Sequence, residues 1–232
     1  MIGPRSRVAV YYAPATDDPL WERAAAWLGR DSRFDALLPQ PGVAGIAEAT
    51  AEPRLYGFHA TLKPPMRLDN GSDWNALVAD AQRVAALVAP FDLPDLSVQD
   101  LHGFLALREN RPSPELQALA DAFVSGLDAY RAPPSPDELA GRRRARLTPA
   151  QDAMLVRWGY PYVFETWFFH LTLTRRLTAE EHAVFRPAAE AHFAPALAVS
   201  RRVNDVCLFT QPSVGLPFTV ALRIPLGGGC PG

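Results

Sequence analysis

The spacing of apolar positions changes along the chain, and each change marks an element. Arg7-Val8-Ala9-Val10-Tyr11-Tyr12 is a β-rich run stopped by Ala13-Pro14, which predicts a first strand. Pro19-Leu20-Trp21-Glu22-Arg23 opens a helix with proline in its first turn. Residues 39–54, rich in Gly, Ala, Pro and Thr, read as a loop into a second strand over 55–63 that Pro64-Pro65 ends. From about 72 to 88, Trp74, Leu77, Val78, Ala81, Val84 and Leu87 recur at helical spacing. Strand-like runs at 96–98 and 103–107 then lead to a helix from 114 to about 129. Residues 131–148 hold Ala132-Pro133-Pro134-Ser135-Pro136 and an arginine-rich run, Arg142 to Arg146. They read as a connecting segment whose charges form a solvated helix face.

A helix over 148–158 and a strand over about 167–174 follow. Thr178-Ala179-Glu180-Glu181 is a capping-box start for a helix to about His192, and strands over 202–210 and 218–224 close the chain. The β-α-β-β order of the second half resembles that of the first. The expected fold class is α+β, with two sheets and helices outside. The expected organisation is one bilobal domain: lobe one over about 1–130, a connection over 131–148, lobe two over 149–226, and a flexible tail at 227–232.

Composition fits a folded domain, with 48% hydrophobic and 21% charged residues in 232. No apolar run nears the roughly 20 residues of a membrane span. Met1 to Arg5 lacks the apolar core of a signal peptide, so a cytoplasmic location is expected. Cys207 and Cys230 supply neither a disulfide framework nor a thiol zinc site. A net charge of −2 argues against a protein built to hold long nucleic acid by its phosphates, but admits a small anion in a local basic pocket.

Candidate chemistry comes from a phrase that occurs twice, Phe58-His59-Ala60-Thr61-Leu62 and Phe169-His170-Leu171-Thr172-Leu173. Period-2 geometry sends His and Thr of each copy to one face and Phe and Leu to the other. Two imidazoles provide an acid and a base near neutral pH, and the threonine hydroxyls are suited to donating to phosphate oxygens. Two histidines without acidic companions make a poor zinc site, so metal-free acid–base catalysis without a cofactor is expected. Lys63, the only lysine, falls by the same alternation on the face of His59 and Thr61, as a phosphate contact or as an ordinary solvated strand end. Tyr11, Tyr160 and Tyr162 are candidates to line a groove, against the commoner role of aromatics in the core. His102, His182 and His192 lack any such context.

The paired His-x-Thr-Leu segments resemble the signature of the two-histidine (2H) phosphoesterase superfamily, which includes LigT-like RNA ligases and cyclic nucleotide phosphodiesterases. The longer phrases Tyr56-Gly57-Phe58-His59-Ala60-Thr61-Leu62-Lys63-Pro64 and Arg157-Trp158-Gly159-Tyr160-Pro161-Tyr162 look like a branch associated with phosphonate metabolism. The resemblance implies two pseudo-symmetric antiparallel sheets lining a central groove. It makes His59 and His170 the acid–base pair, Thr61 and Thr172 the phosphate-holding hydroxyls, and requires no metal. Lys63 and Arg176 lie outside the superfamily pattern and stand as candidate substrate contacts. The expected activity is hydrolysis of a small cyclic phosphodiester of a ribose or nucleotide. The alternatives are processing or 2′–5′ ligation of an RNA end, and non-catalytic binding of a nucleotide or sugar phosphate.

Overall fold

The computed structural model describes residues 6–227; the leader reading at Met1 to Arg5, Cys230 and the tail from 228 lie outside them. In chain order the elements are β1 (Arg7–Tyr12), α1 (Pro19–Leu28), β2 (Arg30–Asp31), β3 (Ala36–Leu37), α2 (Ile46–Ala49), α3 (Ala51–Tyr56) and β4 (Ala60–Arg67). Next come α4 (Trp74–Ala86), β5 (Phe91–Leu93), β6 (Leu96–Leu101), β7 (Phe104–Glu109), α5 (Pro114–Gly126), α6 (Pro136–Arg143) and α7 (Pro149–Trp158). The last are β8 (Leu171–Arg176), α8 (Ala179–Leu197), β9 (Arg201–Val203), β10 (Asp205–Gln211) and β11 (Thr219–Pro225). The long helices begin where side-chain caps are available: Asp18, Asp73, Ser113, Thr148 and Thr178 each accept a main-chain N–H of the first turn.

The fold is α+β. A four-stranded sheet runs β11-β10-β1-β4 and a three-stranded one β6-β7-β8, all pairs antiparallel, with small pairs β2-β3 and β5-β9. The sheets are not the sequential lobes that the order of elements suggests. The sheet beside His59 takes β10 and β11 from the end of the chain, and the sheet beside His170 takes β6 and β7 from the first half. Pairing at such separation leaves no trace in the local pattern, which records only that strands exist.

Two other expectations change. Residues 55 and 56 end α3 rather than start a strand, and Pro64-Pro65 lie inside β4. β4 is an edge strand of its sheet, so missing N–H donors cost no ladder bonds on its open side. The segment 131–148 contains α6, with a complete capping box from Ser135 and Glu138.

Alternation in the strands then builds two faces. Val8, Val10 and Tyr12 of β1 join Leu105, Leu107, Leu171 and Leu173 of the other sheet, and Trp27, Phe123, Phe169 and Phe193, in one large core. Ala9 and Tyr11 point the other way, into a smaller cluster with Trp21, Cys207, Phe209 and Phe218. Thr172 and Thr174 likewise alternate with the core leucines of β8. Both sheets therefore hold the shared core with one face and border a cavity with the other.

Candidate active site

The cavity has a volume of about 390 Å³ and is lined from both sheets. Tyr11 and Thr61 come from the four-stranded sheet, Phe104, Thr172 and Thr174 from the three-stranded one, and His59 and His170 from the two rims. Each histidine is the residue immediately before a strand, β4 or β8, and each threonine is the second residue within it. The repeat in sequence is thus a repeat in geometry.

The two imidazoles are anchored alike. Nδ1 of His59 lies 2.9 Å from the carbonyl of Gly57, and Nδ1 of His170 lies 3.2 Å from that of Phe168. A carbonyl only accepts, so each Nδ1 carries the proton and donates, which leaves Nε2 of each ring for the cavity. Gly57 makes this possible at the first copy. Its φ of 76° and ψ of 173° are open to glycine, and a Cβ there would stand 2.8 Å from the Cβ of Ser32. The His59 ring stacks on Tyr11, with centroids 3.6 Å apart and planes 21° off parallel. His170 packs between Phe168 and Phe104.

These apolar walls set the electrostatics. Burial lowers the His59 pKa to about 4 against the partial support of the Gly57 carbonyl, and the nearby His170 pushes it the same way. Burial also lowers His170, with Arg108 adding to the effect. With both imidazoles lowered from their ordinary value, the neutral forms dominate at pH 7. The Tyr11 hydroxyl is fully buried, has no hydrogen-bond partner among the described residues, and is held protonated by desolvation.

Of the other residues expected at the site, Tyr160 and Arg176 line the cavity. Tyr162 does not; it packs edge-on behind Tyr160, with centroids 5.6 Å apart, and against Phe168. Lys63 is the main correction. Tyr11 pairs with Thr61 while Val10 pairs with Lys63, so an extra residue in β4 breaks the alternation. The bulge turns Lys63 inward, 2% exposed, where Nζ donates to the Val124 carbonyl at 2.8 Å and lies 3.6 Å from Asp128. It holds the C-terminal end of α5 against β4, and burial lowers its pKa to about 8. A second bulge, between Lys63 and Met66, brings Pro65 back to the cavity.

Pattern reading missed Arg7, Glu52, Tyr56, Arg142, Thr174 and Arg175, all of which border the cavity. Tyr56 and Thr174 were within reach, since they flank the two histidine phrases. Arg142 was read as a solvated charge; it stacks on Tyr160, its guanidinium carbon 4.7 Å from the ring centroid. Of the other three histidines, two have structural partners: His182 lies 2.6 Å from Asp100, and His192 Nε2 2.8 Å from the Arg23 carbonyl. Among the described residues no group of three His, Cys, Asp or Glu side chains is arranged to hold a metal ion, and no helix is long and apolar enough to cross a membrane.

A family profile described as "Protein of unknown function (DUF1045)" matches residues 61–219. The chain belongs to this family. Two curated relatives are both called ribose 1,5-bisphosphate phosphokinase PhnN. One, from Janthinobacterium sp. (strain Marseille), is 39% identical over 96% of this chain and 51% of its own length; the other, from Laribacter hongkongensis (strain HLHK9), is 36% identical over 91% and 50%. The chain spans about half the length of the curated relatives it matches. Similar solved structures include a phosphoesterase (15% identity, 95% of this chain and 98% of that one, TM-score 0.46). E. coli LigT complexed with phosphate is another (14% identity, 97% and 99%, TM-score 0.47).

Proposed function

We propose that this DUF1045 protein is a two-histidine phosphodiesterase that opens a small cyclic phosphate ester. The observation that carries the reading is the matched pair of anchored imidazoles. Each is fixed through Nδ1 to the carbonyl two residues before it, each precedes a strand whose second residue is threonine, and all four side chains border one cavity. In the reaction one Nε2 takes a proton from water as its oxygen bonds to phosphorus. The bond from phosphorus to one sugar oxygen breaks, and the other imidazole, protonated, gives its proton to that oxygen. The product is a phosphomonoester beside a free hydroxyl. Thr61 and Thr172 donate to the non-bridging oxygens. His59 is the base, because its deep desolvation and stacking on Tyr11 keep it neutral.

Substrate size follows from the cavity. A volume of about 390 Å³ lies at the small end of ligand pockets and suits a sugar phosphate or a single nucleotide. The names of the curated relatives favour a ribose phosphate, since this chain matches about half of proteins named for a kinase of ribose 1,5-bisphosphate. The test is product formation from a panel of ribose and nucleotide cyclic phosphates by the wild-type protein, His59→Asn and His170→Asn. The reading requires loss in both variants. Equal activity in wild type and either variant overturns it.

A further inference from the structure

We propose that Arg7 and Arg142 form a second anion site in the cavity, for a phosphomonoester carried by the substrate away from the cyclic phosphate. The inference rests on the two-histidine reading and narrows its substrate class to doubly phosphorylated molecules.

The arginines around the cavity fall into two kinds. Arg175, Arg67 and Arg131 are tied to carboxylates, Glu181 at 2.7 Å, Glu138 at 3.0 Å and Asp128 at 2.7 Å. Arg7, Arg142 and Arg176 have no carboxylate partner among the described residues; Arg176 is exposed at the end of β8, whereas Arg7 and Arg142 are held against aromatic rings. Arg7 Nε donates to the neutral amide of Gln211 at 2.6 Å, and its guanidinium lies over the Phe218 ring at 5.3 Å. Arg142 lies over Tyr160. An aromatic face and an amide fix the plane of a guanidinium without cancelling its charge. That leaves oriented N–H forks, whose geometry matches phosphate oxygens. Glu52 is the one carboxylate that borders the cavity.

Position supports the same assignment. Arg7 and Arg142 border both the main cavity and an adjoining recess of about 50 Å³, so they stand where the two meet. Arg7 and Tyr11 share a face of β1, four residues and roughly 13 Å apart along the strand. Tyr11 stacks on His59, so Arg7 marks the opposite end of the cavity-facing side of β1. A single phosphate at the histidines would leave Arg7 and Arg142 unmatched at the far end. The buried Tyr11 hydroxyl, without a partner among the described residues, belongs to a residue lining the same cavity and is a further donor there.

The experiment compares adenosine 2′,3′-cyclic phosphate with the same compound bearing a 5′-phosphate. The wild-type protein is expected to favour the second by about ten- to hundredfold in kcat/KM, the range for charge-assisted hydrogen bonds to one phosphate. Arg7→Gln and Arg142→Gln each bring the ratio toward one, mainly through KM, and Arg142→Lys keeps part of it. Wild-type turnover of both compounds at equal kcat/KM overturns the second site and leaves the two-histidine reading intact. Turnover of neither overturns that reading instead, and calorimetry then decides the site. Adenosine 2′,5′-bisphosphate binding at least tenfold tighter than adenosine 2′-monophosphate, with the difference lost in Arg142→Gln, supports it; equal affinities overturn it. Arg142 lies in the last turn of the short α6, so its substitution leaves the sheets untouched.

Discussion

The indole N–H of Trp167 donates to the main-chain carbonyl of Thr61 across 2.8 Å. Trp167 stands three residues before His170, and Thr61 two after His59, so one bond ties the two histidine segments together. Trp27 makes a matching bond at 3.0 Å to the carbonyl of Leu173 on the other histidine strand. The Trp167 bond joins β4 to the segment before β8, strands that share no ladder, and the Trp27 bond holds α1 to β8.

Trp167→Phe keeps the ring but removes that tie. The expected result is a loss of about 1 kcal/mol in unfolding free energy. A tenfold or greater fall in kcat with a smaller change in KM is also expected, because misplaced acid and base cost turnover more than binding. Denaturant melts and steady-state kinetics on one variant test both. A stability loss with unchanged kcat would mean that the indole only fastens the fold.

The proposed mechanism gives the two histidines different roles. His59→Asn and His170→Asn are each expected to lower kcat by about 10²–10⁴-fold, and the double variant by far less than the product of the two. A p-nitrophenyl phosphodiester needs no proton on its leaving oxygen. It should restore much of the activity of His170→Asn and little of that of His59→Asn. The reverse pattern would exchange base and acid.

The pH dependence follows from two depressed imidazoles. With His59 near 4 and His170 below its usual value, the bell in kcat/KM should peak on the acid side of pH 6.5. Bound phosphate favours the imidazolium forms, so the limbs of kcat should lie at higher pH than those of kcat/KM. Folding stability carries a related mark. A histidine whose pKa is lower folded than unfolded contributes stability that is full above the unfolded value and lost as pH falls toward the folded one. His59 therefore weakens the fold between about 6.5 and about 4, and His59→Asn should flatten that part of the curve in parallel urea melts.

Lys63 separates a structural from a phosphate-binding lysine. Lys63→Met leaves the Val124 carbonyl without its buried donor, and an unfolding loss of roughly 1–3 kcal/mol is expected. KM for the cyclic phosphate should not move. A large rise in KM without a change in stability would return Lys63 to the site.

These contrasts show what the chain discloses by itself. The paired phrase placed Thr61 and Thr172 on their strands, with His59 and His170 immediately before them, because alternation and repetition are local. The long helices were legible for the same reason, each starting at a proline or a capping side chain, whereas α2 and α3, in the stretch read as a loop, have neither. Lys63 was misread because one bulge, set by the pairing of β4 with β1, reverses the alternation at that residue until a second bulge restores it at Pro65. Arg142 was misread because its partner Tyr160 is brought to it only by the tertiary fold. The exchange of strands between sheets was beyond any local pattern.

The most direct test of the central claim is turnover of ribose and nucleotide cyclic phosphates in excess EDTA, by the wild-type protein and by the His59→Asn, His170→Asn double variant. The account predicts phosphomonoester formation that EDTA leaves unchanged and that the double variant loses. Activity abolished by EDTA, or retained by the double variant, would contradict it.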